Sequence, residues 1–385
     1  MKTYFTLISI VFLLFGCITN EDNLYSISTE LIIKDQDPFK NLVESIEYIA
    51  LDNKTPLNKI KNIAADEEQL ILNCLTNVFF YNLNGNYIRE IGKKGKGPGE
   101  YKSNKDIAID KGKKYVYILD RKKTHLYSYA GKYIRTLNNP EKLRFDRLIV
   151  KESKLYYFKG FGLGKLQYEW IITDDKGNII KKKQNYLNES NIIVSYSVNL
   201  CFQNNENIFY WNQLNDTITQ IEGITYTPKY LFASDKYRLT SDDLSSINNF
   251  RKKQSWQPTK IIGSERYLFI NYILQKEQRS IHAFYDGQKN KFYETNSLEL
   301  TIKDRVECNF WDNGIIINPE AKFIINKAYL FIQWIDAYQL KAHVASEAFK
   351  NSTPKYPDKK KALEKLANNL NENDNPVLML VKLKE

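Results

Sequence analysis

The chain has 385 residues, a formal net charge of +11 and four cysteines. A chain of this length buries a large core without a disulfide framework, which excludes the class of small disulfide-stabilised scaffolds. Apart from a polar stretch near the N-terminus, no linker separates two domains, so one large closed domain is expected.

The first segment has the pattern of an export signal. Lys2 is followed by the apolar run Tyr4–Phe15, which is too short to span a bilayer as a mature helix. It ends in Leu-Phe-Gly-Cys at Cys17, and this resembles the bacterial lipobox, in which the cysteine is acylated. We therefore predict that residues 1–17 are a lipoprotein signal peptide. An ordinary secretory signal with a chance cysteine is the alternative.

The location after export depends on the residues behind the cysteine. Glu21 and Asp22 resemble the surface-export signal of Bacteroidota lipoproteins. Lipid anchoring in the cell envelope, most simply at the outer membrane, is expected. Both the surface face and the periplasmic face stay open.

Residues 18–40 are polar and are predicted to be a tether, and residues 41–385 are predicted to form the folded domain. Val43–Leu51 alternates like a strand, yet it precedes the first complete unit. We predict that it pairs with the C-terminal run Val377–Leu383, so that the two ends of the chain close one sheet.

A repeat runs through the folded domain. Gly85 in an Asn-Gly pair between two strand-like runs predicts a tight hairpin. Further turn glycines follow at intervals of 46 residues: Gly131, Gly177 and Gly223. Four short strands per period, with no crossover helices, are typical of a β-propeller blade. The sequence predicts an all-β, six-bladed propeller of four-stranded antiparallel blades; an open β-sandwich is the alternative.

Helical insertions interrupt this pattern. Thr240 and Asp243 resemble a capping box at the start of a helix over Ser241–Lys253. In the last unit, a long strand over Ala328–Leu340 is expected, followed by helical stretches at Lys341–Lys350 and Asp358–Leu370.

The basic residues form runs at predicted turns and outer strands. Such runs usually mark a solvated rim, and lysines on exposed edges discourage edge-to-edge pairing. The alternative is attraction to an acidic ligand, an anionic glycan or a membrane surface. Nucleic acid is not expected as a partner, because an exported lipoprotein does not routinely meet it.

The cysteines and histidines indicate neither a cofactor nor a metal site. Cys74, Cys201 and Cys308 lie far apart, so we expect buried free thiols with at most one disulfide. His125 lies an even number of residues before the turn glycine of its unit, and His282 lies an odd number before its own. Because side chains alternate along a strand, we predict that the two histidines point to opposite sides of equivalent strands.

The motif Gly-Lys-Gly-Pro-Gly-Glu-Tyr over residues 95–101 lies between the first two units. It resembles the Gly-x-Gly-Pro-Gly-Glu-Phe/Tyr junction of NHL-type repeats. With the lipobox and the closing run Asn-Pro-Val-Leu-Met-Leu-Val-Lys-Leu-Lys, the chain resembles the Bacteroidota six-bladed β-propeller lipoproteins. This resemblance implies fold and export, and it implies no agreed chemistry. Glycines also serve simply to let the chain cross between adjacent sheets.

A propeller usually binds its ligand at one end face. The candidate ligand-binding residues are Glu100, Tyr101, Arg121, Trp211 and Trp256. Aromatic rings beside polar groups suit sugars or peptides; packing between blades is the alternative for each of these residues.

The first functional hypothesis is a lipid-anchored, monomeric binding or scaffold module. Its partners would be the membrane, through acylated Cys17, and a glycan, a peptide or a partner protein. The alternatives are a hydrolase or lyase that uses the end-face pocket, and a sensor or assembly component that acts only through protein contacts. No catalytic residues are assigned.

Overall fold

A computed structural model defines residues 24–27, 33–34, 43–159, 167–185, 200–204, 207–212, 215–232, 240–252, 256–274, 279–295, 321–325, 328–353 and 357–384. Three strands precede the first repeat: β1 (Tyr25–Ile27), β2 (Ile33–Lys34) and β3 (Val43–Ala50). Blade I contains β4 (Ile60–Ala65), β5 (Gln69–Cys74), β6 (Val78–Asn82) and β7 (Tyr87–Glu90). The junction to the next blade contains β8 (Lys93–Lys94) and β9 (Glu100–Tyr101).

The next two blades follow the same plan. Blade II contains β10 (Asp106–Asp110), β11 (Tyr115–Leu119), β12 (Lys123–Ser128) and β13 (Tyr133–Asn138). After a 3-10 turn at Pro140–Lys142, blade III contains β14 (Arg147–Lys151), β15 (Lys154–Phe158), β16 (Tyr168–Asp174) and β17 (Ile179–Gln184).

The second half of the chain includes the helices. Blade IV contains β18 (Cys201–Asn204), β19 (Asn207–Trp211), β20 (Thr217–Glu222) and β21 (Thr225–Phe232), and it is followed by α1 (Ser241–Ser245) and α2 (Ile247–Lys252). Blade V contains β22 (Trp256–Gly263), β23 (Tyr267–Leu274), β24 (Arg279–Asp286) and β25 (Lys291–Thr295). Blade VI contains β26 (Ala321–Ile325) and β27 (Ala328–Ile335), then α3 (Ala337–Ala345), α4 (Glu347–Lys350) and α5 (Pro357–Asn369), and finally β28 (Val377–Leu383).

The sheets are arranged radially around one axis. Within each blade, consecutive strands pair antiparallel, and the innermost strands of blades I to V line a common cavity of about 420 Å³. This confirms the all-β, six-bladed propeller and excludes the open sandwich. The chain enters each blade at one end of the strands, here called the crossover end. The glycine turns between third and fourth strands lie at the opposite end, here called the hairpin end.

Packing between blades supplies the core. The described residues contain six clusters of buried apolar side chains, one at each interface between neighbouring blades. Middle strands such as β6 and β11 are therefore buried on both faces, which explains why their sequences do not alternate cleanly. Each sheet depends on its neighbours for burial, as in other radially repeated folds.

The ring is closed by the two ends of the folded chain. In blade VI, β28 pairs antiparallel with β3, and the register places Val377 opposite Ala50 and Leu383 opposite Val43. Three strands from the C-terminal part and one strand from the N-terminal part thus share a sheet. The predicted pairing of Val43–Leu51 with Val377–Leu383 is confirmed.

The predicted tether over residues 18–40 needs a correction. β1 pairs parallel with β21 on the outer edge of blade IV, and β2 pairs parallel with β25 on the outer edge of blade V. Ile27 is fully buried against blade IV, and the ring of Tyr25 stacks on Tyr230 at 5.5 Å. Strands of two or three residues are too short to give a periodic signal in the sequence. Residues 24–27 and 33–34 therefore form an outer strap on two blades.

Two further predictions are adjusted at the insertions. The capping box between Thr240 and Asp243 is present, but Ser246 has an extended backbone and splits the predicted helix into α1 and α2. In blade VI the predicted long strand ends at Ile335 and a helix begins at Ala337. Ala337, Leu340 and Val344 are buried on one face of α3, at helical spacing. Packing of this face against the propeller overrides the strand pattern.

The first prediction concerns the ring closure. Asn375 is buried, its side-chain amide donates to the backbone oxygens of Asp52 and Thr55, and its Oδ1 accepts from Leu57 N. These bonds connect the chain before β28 to the chain after β3. We expect Asn375→Ala to lower the free energy of unfolding by about 3 kcal/mol, since each lost bond contributes roughly 1 kcal/mol. Urea unfolding measures this change.

The control is Asn371→Ala, because the Asn371 side chain is exposed in the same loop. An Asn375→Ala protein as stable as the Asn371→Ala protein would contradict this account of the closure.

Candidate functional site

The glycine-rich junction between blades I and II folds tightly over one carboxylate. Glu100 Oε2 accepts a hydrogen bond from Gly97 N at 2.7 Å. A Cβ atom at Gly95 would lie only 2.0 Å from this oxygen, so a larger residue at 95 would displace the Glu100 carboxylate from its bond to Gly97. β8 and β9 pair parallel at the base of the loop. Glu100 therefore serves first to hold its own loop.

The end of the motif packs into the core. Gly99 has φ +72°, and a Cβ atom there would lie 2.7 Å from the ring of Tyr133. Tyr127 in blade II donates its hydroxyl hydrogen bond to Gly99 O at 2.7 Å. Tyr101 is fully buried between blades I and II. The structure thus places Tyr101 in the core and corrects its assignment as a ligand-binding residue.

A cavity of about 440 Å³ lies beside this junction, at the rim of blade II. It is enclosed by the junction loop, by the loop between β11 and β12, and by Tyr133 and Thr136 of β13. Six exposed cationic side chains line it: Lys96, Lys102, Arg121, Lys122, Lys123 and Arg144. Among the described residues, none of these six side chains forms an ion pair or a hydrogen bond. We call this site the rim cavity.

The two carboxylates in the rim cavity are already engaged. Glu100 holds the junction loop. Asp120 accepts hydrogen bonds from the backbone nitrogens of Lys102, Ser103 and Arg121, at 2.7–3.0 Å. Burial raises the pKa of Asp120, but the neighbouring His125 side chain and the hydrogen bonds from these backbone groups outweigh burial and hold the pKa well below its usual value. The unpaired charge in the cavity is therefore positive.

His125 lies at the inner wall of the rim cavity. It is 4% exposed, and its Nδ1 lies 2.9 Å from Thr136 Oγ1. Its Nε2 lies 3.6 Å from Asp120 Oδ2, and this nitrogen has no hydrogen-bond partner in the described structure. Both ring nitrogens therefore face groups of the protein, Thr136 and Asp120, at the wall of the cavity.

The central channel offers a different surface. Its lining is mainly aliphatic, and its charged groups have partners. Arg147 donates to Asp106 at 2.9 Å near the crossover end, and Lys151 lies 3.4 Å from Glu152 near the hairpin end. Charges that are already paired leave little to attract an ion. The rim cavity is therefore the better candidate site for a charged ligand.

The remaining candidates do not join this site. Trp211 is 2% exposed, stacks on Phe232 at 4.5 Å and donates from Nε1 to Asn215 O, so it belongs to the core of blade IV. Trp256 is the first residue of β22, and its side chain lies outside the described structure. Of the five predicted ligand-binding residues, the fold brings together Glu100 and Arg121.

Three residues of the cavity were missed by sequence reasoning. His125 is hidden in the middle of an apolar strand, Tyr133 follows a hairpin turn, and Arg144 lies in the crossover to blade III. The basic run beginning at Arg121 was the one sequence signal that could have indicated this cavity. Nothing in the sequence shows that the glycine-rich junction lies against it.

The histidines and cysteines are dispersed, as far as the structure describes them. His282 forms a hydrogen bond with Asn271 in blade V, and the His343 ring contacts Phe349 beside α3. No group of three or more His, Cys, Asp or Glu residues in the described part of the chain is arranged to hold a metal ion. Cys74 and Cys201 are buried free thiols, and Cys308 lies outside the described residues.

These features define a six-bladed β-propeller with a basic cavity at its rim. The chain belongs to the family described as "Domain of unknown function (DUF4934)", whose model matches residues 24–382. No curated protein matches the sequence.

Solved structures share the fold at low sequence identity. A putative exported protein from Bacteroides fragilis is 18% identical with a TM-score of 0.70, over 94% of this chain and 100% of that one. A member of the DUF4221 family from Bacteroides vulgatus is 13% identical with a TM-score of 0.50, over 89% and 98% of the two chains. Separately, no helix within the described ranges is long and apolar enough to cross a bilayer.

The second prediction concerns His282. Burial, assisted by Lys260, lowers the pKa of His282 to about 4. The pKa of an unfolded histidine is about 6.5, so between these values the unfolded chain binds a proton that the folded chain does not. Stability is therefore lost as the pH falls. We expect His282 to account for a loss of about 2 kcal/mol between about pH 7.5 and pH 5.

Urea unfolding at the two pH values measures this loss. His282→Gln should reduce the difference between them, while the control Gln339→Ala, which changes an exposed residue of α3 that does not titrate, should leave it unchanged. Identical pH dependence in wild type and His282→Gln would show that His282 titrates normally.

Proposed function

We propose that the protein is a binding module of the cell envelope that recognises an anionic ligand at the rim cavity. One observation carries this proposal: six exposed cationic side chains surround a single cavity without pairing to carboxylates. Unpaired like charges close together repel each other, and an anion relieves this repulsion. Ionised ligand oxygens also form strong charge-assisted hydrogen bonds with such groups.

Among the expected partners, an anionic glycan fits this cavity best. The cavity is concave and has the volume of a small-molecule site. The ring of Tyr133 is 38% exposed at its wall and offers an apolar face beside the cations. A sugar acid or sulfated sugar presents both an apolar ring face and a negative group. An acidic peptide or an acidic partner protein is the competing occupant.

A hydrolase or lyase is the second candidate function, and one observation favours it. His125 and Asp120 form a buried pair at the cavity wall, with His125 Nε2 3.6 Å from Asp120 Oδ2 and Nδ1 bound to Thr136. A histidine beside a carboxylate is a common acid–base pair. If the pair acts in this way, His125→Gln will abolish turnover of a bound glycan while leaving binding intact. A binding module will show no turnover to abolish.

The third prediction tests the ligand class. The wild-type protein should bind heparin, a sulfated glycan, at low ionic strength. Arg121→Glu combined with Arg144→Glu should weaken binding about tenfold or more, because two charge-assisted contacts become repulsive. Isothermal titration calorimetry measures the affinity, with neutral dextran as a second probe.

The matched control carries the same change of charge elsewhere. Lys359→Glu combined with Lys361→Glu alters two exposed side chains on α5. Equal loss of heparin binding in both double variants would indicate non-specific attraction and contradict the cavity as the site. Stronger, cavity-dependent binding of poly-glutamate than of heparin would identify an acidic peptide as the ligand class.

The proposed location rests on the export signal. The lipobox ending at Cys17 supports acylation and anchoring at the outer membrane, on the periplasmic or surface face, and the DUF4934 match begins at residue 24, soon after it. A monomer is the simplest assembly, because the ring closes on itself.

The fourth prediction tests the anchor. Cys17→Ala should move the protein from the membrane fraction to the soluble fraction, since it removes the acylated residue. Fractionation followed by immunoblotting measures the shift, and Cys74→Ala is the control because that thiol is buried. Continued retention of the Cys17→Ala protein in membranes would count against lipidation.

A further inference from the structure

The direction in which the N-terminal segment leaves the propeller is fixed by β1. Because β1 runs parallel to β21, with Tyr25 opposite Tyr230, the residues before Tyr25 point toward the hairpin end of blade IV. Leu24 is the seventh residue after Cys17. An extended chain covers at most about 3.5 Å per residue, so an acyl anchor on Cys17 would lie within roughly 25 Å of Leu24.

The outer strands of blades III and IV begin with exposed apolar residues. Ile179 and Ile180 follow the hairpin glycine of blade III, and they are 41% and 42% exposed. Ile224 and Tyr226 follow the hairpin glycine of blade IV, and they are 44% and 42% exposed. We call these four residues the hairpin patch. Leu24 is 49% exposed, and the register places it beside Lys229 of β21, so the residues before it run along blade IV toward this patch.

The two hairpins of the patch belong to one packed surface. Tyr156 of blade III donates to Gly223 O at the turn of blade IV. The ring of Tyr226 lies edge-on to Trp170 at 5.4 Å, and Lys183 Nζ lies 4.4 Å from its centre. The blade IV hairpin is thus fixed against the face of blade III.

The charges around the hairpin patch are of both signs, and the carboxylates in the blade III turn, Asp174 and Asp175, are bound to Asn178 and Lys113. Lys176 and Lys181 are exposed beside it, and Lys229 Nζ lies over the ring of Tyr25. Lys182 and Lys183 are paired with carboxylates, and Glu222 is an exposed acidic residue in the blade IV turn. Exposed apolar side chains framed by lysines are typical of surfaces that lie in the interface of an anionic bilayer.

Apolar residues recur at the equivalent position of other blades. Blade I has Ile88, which is 39% exposed, and it lies three blades away from blade IV in a ring of six. Blade II has Tyr133, which lines the rim cavity, and Ile134, and both are 38% exposed. Blade IV differs from these because β1 joins it and because its hairpin packs against blade III.

We propose that the hairpin patch rests on the surface of an anionic lipid bilayer and sets the orientation of the anchored propeller. This inference rests on the proposed lipid anchor. The patch lies at the hairpin end of the strands, whereas the loops that bear the cations of the rim cavity lie at the crossover end. With the patch on the bilayer, these cation-bearing loops face away from the lipid.

A vesicle-binding experiment tests the patch without the acyl chains. The mature chain from residue 18, which contains every residue of the fold, is mixed with vesicles of phosphatidylethanolamine and phosphatidylglycerol, roughly 3:1, and sedimented. We expect a measurable bound fraction that falls as salt is added. Ile180→Glu combined with Ile224→Glu should lower this fraction about fivefold or more, because both apolar contacts become negative charges.

The matched control is Leu75→Glu combined with Ile88→Glu, which alters two exposed apolar residues of blade I. This control should bind like wild type, and thermal unfolding confirms that all variants are folded. Absence of wild-type binding, or equal binding by the patch variant, would overturn the proposal. Loss of binding in the Arg121→Glu/Arg144→Glu protein alone would overturn it too, because the rim cavity would then hold the lipid headgroup.

The anchor is tested separately by Cys17→Ala. Failure of the vesicle experiment with normal release of the Cys17→Ala protein would leave the anchor in place and remove only the orientation. Failure of the Cys17→Ala experiment would remove the reason for placing the patch near a bilayer, while vesicle binding would still be measured directly.

Discussion

The pairing of β28 with β3 is the constraint on which the rest of the structure depends. Every blade buries its apolar faces only against its two neighbours. A ring opened at one seam would therefore lose one of its six interfaces and expose both of the faces that form it to water. The hydrogen bonds of Asn375 fasten the same seam. The strap formed by β1 and β2 adds contacts on blades IV and V, so the N-terminal segment holds the ring at three blades.

A second constraint operates at the crossover end of the central channel, where the innermost strand of each blade begins. Asp106 is fully buried and accepts hydrogen bonds from Asn62 of blade I and from Arg147 and the backbone of Leu148 in blade III. One carboxylate therefore joins three consecutive blades. A buried charge is tolerated only with such partners, and Arg147 supplies the opposite charge at 2.9 Å. The central channel is stabilised by these contacts, and little of its charge is left for a ligand.

The rim cavity arises from the opposite situation. Its two carboxylates fix loops: Glu100 closes the glycine-rich junction, and Asp120 ties residues 102–103 to the loop between β11 and β12. The surrounding cations consequently lack partners among the residues that the structure defines. A single structural requirement, the crossing of the chain between blades I and II, thus creates both the cavity wall and its positive charge. The proposed bilayer contact uses the other end of the strands, so the two surfaces do not compete.

Local signals in the sequence determined the blades, because a hairpin glycine and its flanking strands are specified within a few residues. The spacing from Gly85 to Gly223, the closing run Val377–Leu383 and the capping box at Thr240 were all readable in this way. Only the tertiary structure decided what depends on contacts between distant residues. It made residues 24–27 and 33–34 a strap, buried Tyr101 and Trp211 between sheets, and brought His125 and Arg144 to the cavity beside Glu100. The physical reason is that period-two strand patterns show which residues alternate, whereas burial here depends on the neighbouring blade.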